Sequence, residues 1–319
     1  MLRNIRHSFV DMANAEAFFE ENPPPKNLNE IRAKIQDFLC QDRLKKDSKV
    51  VLVSSGGTII PFEKNVVRYI DNFSQGTRGS ASAENFLKVE NYHCIFVYRS
   101  NTLRPYRRHF SHNNFLDILD IDGDDVKVNE KQRESVKSVL VPFKSIKEQK
   151  RLLEIEYVTL FEYLWILKIA CELMEPLKSK AMLYLAAAVS DFYIPTTEMA
   201  EHKIQSSEGA PKIELHLVPK ILAPLVKNWV PDAFVISFKL ETDETILIEK
   251  SKKALETYKH KLVVANLLQT RKEKVILVSS ESGCEEITMS IDELQQGSEI
   301  EEKIIENLVS KHDAFISAS

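Results

Sequence analysis

The chain has 319 residues, of which 43 are Lys or Arg and 47 are Asp or Glu, and its formal net charge is −4 at pH 7. So small a charge gives no general attraction to nucleic acid or to an anionic membrane, and any phosphate binding must be local. The four cysteines form no C-x-x-C pair, which argues against a structural zinc site or a disulfide framework. We expect reduced thiols in the cytoplasm. The longest apolar run, at 181–189, is too short to cross a bilayer, so we expect a soluble protein.

Residues 1–46 are predicted to form an N-terminal arm and one helix. Residues 1–26 are polar and end in three consecutive prolines at 23–25, which predicts a stiff spacer outside the core. From residue 27 to 45, apolar side chains recur at helical spacing with charged side chains on the opposite face. This pattern predicts an amphipathic helix packed on the edge of the fold.

Residues 47–319 are predicted to form a single α/β domain, because strand-like apolar runs alternate with helical patterns throughout. Such alternation is typical of a doubly wound, mostly parallel sheet of the Rossmann type. The run at 182–189 is apolar throughout, as expected for a central strand covered on both faces. Strands are predicted at 50–53, 94–98, 155–160, 182–189, 233–238, 261–266, 275–279 and 286–290, and helices near 79–89, 160–174, 220–228, 243–258 and 300–308.

Two segments interrupt this alternation. Ten of the eighteen residues from 120 to 137 are charged, so residues 100–150 are predicted to be an exposed insertion that forms a solvated loop. Residues 190–218 end in the alternating sequence KIELHLV at 212–218. The alternation predicts a half-exposed antiparallel strand in a protruding hairpin.

Four of the eight glycines lie between residues 50 and 84, where a predicted strand leads through a loop into a predicted helix. A glycine loop and a helix N-terminus present free N–H groups and a positive dipole end, which suit a phosphate or a carboxylate. Neither G-x-x-x-x-G-K-[ST] nor G-x-G-x-x-G occurs, so the common nucleotide motifs are excluded. From these residues alone, an anion site and two tight structural turns remain equal alternatives.

Five blocks carry a further signal: RYIDNFSQGTRG at 68–79, AAAVSDF at 186–192, HKIQSS at 202–207, SFKLET at 237–242 and VVAN at 263–266. In their order they resemble phosphopantothenoylcysteine synthetase, the phosphopantothenate–cysteine ligase family, in its eukaryotic stand-alone form. The resemblance implies ligation of 4′-phosphopantothenate with L-cysteine through an acyl-adenylate in coenzyme A biosynthesis. It also implies ATP as co-substrate, Mg²⁺, a homodimer with a contact at hairpin 190–218, and no nucleic-acid or membrane partner. Bacterial relatives that prefer CTP open with T-A-G-P-T, and the S-S-G-G-T at 54–58 favours ATP.

The resemblance further implies roles for single residues. Asn72 would orient the acyl group and support the oxyanion during amide formation, and Lys203 would neutralise the α-phosphate as the adenylate forms. Arg68 would reach the substrate phosphate of the neighbouring subunit. Ala187, Ala188 and Asp191 are expected to bind the substrate, and Gly56, Ser74, Gly76, Gly79, Phe238 and Asn266 the nucleotide, with Phe238 and Asn266 at the base. Metal ligands are not identified.

Each assignment has a structural alternative: Asn72 as an Asx turn, Lys203 as a solvated charge, Phe238 as core. Two other functions also compete. An NAD(P)-binding oxidoreductase needs a glycine fingerprint and an acidic residue that ends the second strand, where this chain has Tyr-Arg-Ser at 98–100. A non-catalytic dimeric nucleotide-binding protein would lack Asn72 or Lys203, and both are present. The ligase is therefore the expected function.

Overall fold

The computed structural model describes residues 13–40, 44–110 and 115–319. Its strands are β1 (Lys49–Ser55), β2 (Ile59–Pro61), β3 (Tyr69–Asp71), β4 (Tyr92–Arg99), β5 (Leu119–Asp122), β6 (Asp125–Val128), β7 (Leu152–Tyr157), β8 (Ala181–Leu185), β9 (Phe192–Tyr193), β10 (His216–Leu217), β11 (Phe234–Glu241), β12 (Leu262–Leu267), β13 (Lys274–Ser279) and β14 (Gly283–Thr288). One large sheet has the order β14-β13-β12-β11-β8-β1-β4-β7.

The large sheet is parallel from β7 to β12, and β13 and β14 add an antiparallel edge. Numbered along the chain, its parallel strands lie in the order 3-2-1-4-5-6, with the switch point between β1 and β8. Every residue of β1 is buried, as a parallel strand covered on both faces requires. The predicted doubly wound, mostly parallel Rossmann-like sheet is confirmed.

Helices cover both faces of the sheet. They are α1 (residues 13–21), α2 (Leu28–Phe38), α3 (Thr77–Lys88), α4 (Arg133–Glu148), α5 (Leu160–Met174), α6 (Leu222–Pro224, followed by a π-helical turn at Leu225–Trp229), α7 (Glu244–Tyr258), α8 (Ile291–Gln295) and α9 (Ile300–Ser317). The core on one face is shared by α1, α2 and α5, and that on the other by α3 and α9. Within the described ranges, no helix is long and apolar enough to span a membrane.

The N-terminal segment corrects one prediction. Residues 13–21 are helical, and Ala15, Phe18 and Phe19 are buried in the same core as α2 and α5. Two adjacent aromatic rings carry enough apolar surface to hold this short helix on the fold. The prediction of a spacer outside the core is wrong for this part, and residues 1–12 lie outside the described residues.

The charged insertion at 100–150 also differs from the prediction of a loop. β5 and β6 pair as a tight antiparallel hairpin in which Ile121 faces Val126, and α4 follows. Most described residues of this segment are exposed or half-buried, although Tyr106 and Ile146 are buried. Apolar residues alternate with charged ones in this segment, which allows the strands to pair. The high density of charged residues led to the prediction of a loop instead.

The segment 190–218 forms a shorter hairpin than predicted. Only β9 and β10 pair in it, two residues on each side, so the predicted strand over 212–218 is reduced to His216 and Leu217. Pro195 ends β9 two residues after Tyr193, and proline cannot donate to a strand ladder.

Candidate active site

The chains leaving β1 and β8 run side by side at the switch point. The N–H of Ala188 donates to Gly56 O at 2.8 Å, and the N–H of Thr58 donates to Ala188 O at 3.1 Å. The N–H of Ala187 donates to Ser54 Oγ at 3.2 Å. Predicted site residues from two distant blocks therefore form one wall. Ligands of open α/β sheets bind in the crevice at this point, which we call the switch-point crevice.

Two glycines set the shape of this crevice. Gly56 has φ +86°, and a Cβ there would lie 2.8 Å from Arg99 Cβ. At Gly79, in the first turn of α3, a Cβ would lie 2.5 Å from both Cβ and Oγ of Ser55. Because Gly79 has no side chain, α3 packs directly on the end of β1. The N-terminus of α3 is thereby held at the crevice.

The N-terminus of α3 has no side-chain cap. Gly76 is its N-cap residue, in the left-handed conformation. Ser74 Oγ accepts from the Gly76 N–H at 3.3 Å, and Ser55 Oγ donates to Gly76 O at 3.1 Å. The first N–H groups of a helix have no acceptor within the helix. This twelve-residue helix therefore offers donors and a positive dipole end to an anion.

Asn72 follows β3 and is fixed through its backbone. Its N–H donates to Thr58 O at 3.1 Å, and its carbonyl oxygen would lie 1.6 Å from a Cβ at Gly57. The side chain is half-buried, and its amide has no hydrogen bond to any other part of the described chain. An amide held in place by its backbone and left unpaired is available to a ligand.

Glu63 joins Arg68 to Ile204, the residue that follows Lys203. Arg68 Nη1 donates to Glu63 Oε1 at 2.9 Å and to Ile204 O at 3.1 Å. Burial alone raises the pKa of Glu63, but the N–H donors of Arg68, Ile204 and Val67 and the Arg68 charge lower the pKa to below its ordinary value. Lys203 precedes Ile204 and is exposed, and its Nζ has no partner among the residues described.

An apolar cleft of about 210 Å³ opens beside Ala187. Asp191 stands at its rim with an exposed carboxylate 3.6 Å from Lys220 Nζ. A cleft with apolar walls and a few polar groups at its mouth is typical of a site for an organic ligand. Its walls include Leu164, Leu167, Leu185, Val189, Ile221 and Leu225.

The two residues expected at the nucleotide base lie on β11 and β12, beyond β8. The Phe238 ring is half-buried and packs edge-on against Tyr184 at 4.8 Å between ring centroids. Asn266 Nδ2 donates to Val264 O at 2.9 Å, and its Oδ1 accepts from Arg78 Nη2 at 3.2 Å. Both ends of the Asn266 amide are therefore already engaged within the protein.

Sequence reasoning missed Arg78. Besides Asn266, its guanidinium binds Glu301 Oε1 at 2.9 Å and the carbonyl oxygen of Arg271, so it joins α3, α9 and the end of β12. A positive charge in the first turn of a helix opposes the helix dipole. The unfavourable position of Arg78 was the one sign in the sequence that this residue has a specific role.

Among residues 13–40, 44–110 and 115–319, no group of three His, Cys, Asp or Glu side chains is placed to hold a metal ion. The described crevice therefore has no metal cage of its own. The fold and this crevice define a class: a doubly wound α/β protein with an uncapped helix N-terminus at its switch point.

Comparisons with known proteins narrow this class. A family model described as "DNA/pantothenate metabolism flavoprotein C-terminal domain" matches residues 167–316. Human phosphopantothenate–cysteine ligase is 45% identical over 274 residues, covering 84% of this chain and 88% of the relative. The ligase CAB2 of Saccharomyces cerevisiae is 39% identical over 343 residues, covering 99% and 92%.

A solved structure, a Cab2 mutant in complex with phosphopantothenate-cysteine, aligns with a TM-score of 0.86 at 39% identity, covering 95% of this chain and 99% of that one. The chain belongs to the phosphopantothenate–cysteine ligase family and is an enzyme. The resemblance found in the five sequence blocks is confirmed.

Proposed function

We propose that the protein joins 4′-phosphopantothenate to L-cysteine in coenzyme A biosynthesis, with ATP as co-substrate and AMP and pyrophosphate as the other products. The observation that carries this proposal is the set of groups around the switch-point crevice. The uncapped N-terminus of α3, the unpaired amide of Asn72 and the apolar cleft beside Ala187 each lie next to the segments that leave β1 and β8. They supply sites for an anion, an acyl group and an organic arm in a chain of this ligase family.

The nucleotide phosphates bind at the N-terminus of α3. Gly56 and Gly76 shape the backbone there in left-handed conformations with no Cβ, Ser74 offers a hydroxyl, and Gly79 brings the helix against the crevice. The base lies against Phe238, whose ring is half-buried. Asn266 contacts the base only after its amide exchanges Arg78 for the nucleotide, because both ends are engaged without it.

The acid substrate lies in the cleft. Small side chains at Ala187 and Ala188 leave room for the pantothenate arm, and the apolar walls suit its hydrocarbon part. Asp191 accepts a hydrogen bond from a hydroxyl or amide of the arm. Arg68 binds the phosphate of the substrate held by the neighbouring subunit, since a guanidinium fork matches phosphate geometry.

The reaction has two steps. A carboxylate oxygen of the acid attacks the α-phosphorus of ATP, the bond to the β-phosphate oxygen breaks, and pyrophosphate leaves. Lys203 neutralises the charge that grows on the α-phosphate. The cysteine amine then attacks the acyl carbon and loses a proton, the acyl–oxygen bond breaks, and AMP leaves with the oxygen that came from the acid. Asn72 donates its amide N–H to the oxyanion of this second step.

Bound with the nucleotide, Mg²⁺ would offset the charge of the triphosphate. Magnesium at nucleotide sites takes most of its ligands from phosphate and water. This mode fits the described crevice, which has no cluster of metal-binding side chains.

The enzyme acts as a homodimer through the hairpin 190–218. Backbone hydrogen bonds from Lys64 to Ala200 and from Asn65 to Glu201 join this hairpin to the loop before β3. Large apolar side chains are exposed on the hairpin, on the loop before β3, in β3 and just after it, which is typical of an interaction surface. They are Val66, Val67, Tyr69, Phe73, Phe192, Ile213, Leu215 and Leu217.

We place the enzyme in the cytoplasm, with small molecules and its own second copy as partners. Its cysteines are free thiols, and Cys40 and Cys284 are exposed. Exposed unpaired thiols are typical of a reducing compartment.

The experiment is pyrophosphate release from purified protein with Mg²⁺ and 4′-phosphopantothenate, comparing ATP with CTP and adding or omitting L-cysteine. We expect release with ATP that depends on phosphopantothenate and turns over only when cysteine is present. Release with CTP alone would reverse the nucleotide assignment, and no release with either nucleotide would contradict the ligase.

A further inference from the structure

One buried carboxylate organises the surroundings of the two cationic site residues. Glu63 is fully buried, and its Oε1 accepts from Arg68 Nη1 at 2.9 Å and from the Ile204 N–H at 3.4 Å. Its Oε2 accepts from the Arg68 N–H at 3.1 Å and the Val67 N–H at 3.4 Å. Buried carboxylates remain ionised only when donors and a positive charge compensate them, as they do here.

Through these bonds Glu63 ties together two segments far apart in sequence. Ile204 is held at both backbone groups, its N–H by Glu63 and its carbonyl oxygen by Arg68 Nη1. A further backbone bond from Lys64 to Ala200, at 2.9 Å, fixes the other end of this loop. Lys203 lies between these fixed points.

This arrangement leaves Arg68 and Lys203 with donor groups that can still bind an anionic ligand. Glu63 and Ile204 occupy Nη1 of Arg68, and Nη2 and Nε form no hydrogen bond within the described chain. Lys203 Nζ has no anionic partner among the described residues, so the carboxylate places this lysine without neutralising it. A carboxylate that served only to balance charge would not need to hold the backbone of the Lys203 loop.

We propose that Glu63 is a positioning residue of the ligation reaction, which sets the Arg68 guanidinium and the Lys203 loop in register with each other. The inference rests on the proposed function, in which Arg68 binds substrate phosphate and Lys203 stabilises adenylate formation. Glu63 itself touches neither substrate nor nucleotide.

The test compares wild type with Glu63→Gln, which keeps the side-chain shape and removes the charge. We expect the KM for 4′-phosphopantothenate to rise and the rate of the pyrophosphate burst to fall, each by about 10- to 100-fold, since small displacements of positioned groups have effects of this size. The KM for L-cysteine stays unchanged. A purely structural role would lower the amount of active enzyme and leave every KM as it was.

Glu84→Gln is the matched control. Glu84 is also buried, binds Arg108 Nε at 2.8 Å and accepts from the backbone N–H of Tyr106 at 2.6 Å, without contact to Arg68 or Lys203. We expect both variants to lose thermal stability and only Glu63→Gln to change the KM for phosphopantothenate. Where Glu63→Gln fails to fold, Glu63→Asp carries the test, because the shorter side chain keeps its charge and cannot reach both Arg68 and Ile204.

A double-mutant cycle separates the effect that Glu63 exerts through Arg68 from its other effects. In an Arg68→Ala background, Glu63→Gln should cause no further rise in the KM for phosphopantothenate and should still slow the burst through Lys203. An unchanged KM and burst rate in folded Glu63→Gln overturns the inference and leaves the ligase standing. A wild-type protein that releases no pyrophosphate overturns the proposed function instead.

Discussion

The predicted site residues differ in whether their side chains already have hydrogen-bond partners. The amide of Asn72 and the ammonium of Lys203 have no partner in the described chain, whereas the Asn266 amide is bound at both ends. A polar side chain without partners contributes little to stability, so its replacement is tolerated. Activity at Asn72 and Lys203 can therefore be tested in proteins that still fold.

Lys203→Ala should slow adenylate formation while leaving the fold intact. Removing one group that stabilises transition-state charge costs about 10²- to 10³-fold in rate. The measurement is the pyrophosphate burst without cysteine, alongside the unfolding midpoint. Lys212→Ala, which removes another exposed lysine of the same hairpin, is the control and should keep the burst. Equal burst rates in the two variants would remove Lys203 from the chemistry.

His312 gives stability a defined pH dependence. Burial lowers its pKa to about 4, and the neutral ring is bonded to Tyr92 OH at 2.7 Å and to Ser179 O at 2.8 Å. Between pH 4 and the ordinary value of 6.5 the unfolded chain binds a proton that the folded chain does not. Stability from this group is therefore complete above pH 6.5 and is lost as the pH falls towards 4.

His312→Gln should reduce the slope of unfolding free energy against pH near pH 5 by about 1.4 kcal/mol per pH unit, the equivalent of one proton. Urea unfolding at several pH values measures the slope. His202→Gln, at an exposed histidine, is the control. A slope that does not differ between His312→Gln and wild type would contradict the assignment.

Among the strands and helices, burial largely determined which ones the sequence could predict. β1, β4, β8, β12 and the first half of β11 are mostly buried, and all were predicted. β2 and β3 were missed because three-residue strands leave too short a pattern. α1 was missed because its aromatic residues stand among charged ones, and only the partners they meet make them core.

The helix α1 also supports the hairpin that carries Asp191 and Lys203. Asn22, directly after α1, is 1% exposed, and its Nδ2 donates to Phe18 O at 2.8 Å. Its Oδ1 accepts from Thr196 Oγ1 at 2.8 Å, within the hairpin segment. The Phe18 ring packs edge-on against Tyr193 of the same segment.

Asn22→Ala should loosen the hairpin more than the rest of the fold. Loss of one buried and one partly buried hydrogen bond costs about 1–3 kcal/mol in unfolding free energy. Hydrogen exchange in residues 192–199 should increase well beyond that in β1. Asn91→Ala, which removes a single bond to Asp47 O, is the control. Uniform exchange across the molecule would argue against a local support.

At the scale of the whole molecule, the proposed dimer makes each active site depend on both copies. Leu217→Glu introduces a charge on the exposed apolar surface of the hairpin, where Leu217 is 72% exposed. We expect a monomer by light scattering and a loss of ligation. Ile121→Glu changes an equally exposed residue, 82% exposed, on the charged insertion and should leave dimer and activity intact. A dimeric, active Leu217→Glu would contradict this interface.

Long-range contacts limited how much of the site the sequence could reveal. Gly56, Gly76, Asn72 and Ala187 could be predicted as site residues because each falls in or beside a short block that resembles the ligase family. Glu63 acts on Ile204 and Arg78 acts on Glu301, across 141 and 223 residues. No local pattern identifies such partners before the fold brings them together.

The proposed acyl-adenylate is tested most directly by following the oxygen atoms of the acid substrate. The measurement is mass spectrometry of the nucleotide and phosphate products after one turnover with 4′-phosphopantothenate labelled with ¹⁸O in its carboxylate. Attack on the α-phosphorus predicts one ¹⁸O in AMP and none in pyrophosphate. Label in inorganic phosphate, with ADP as the nucleotide product, would show an acyl phosphate and contradict the proposed acyl-adenylate.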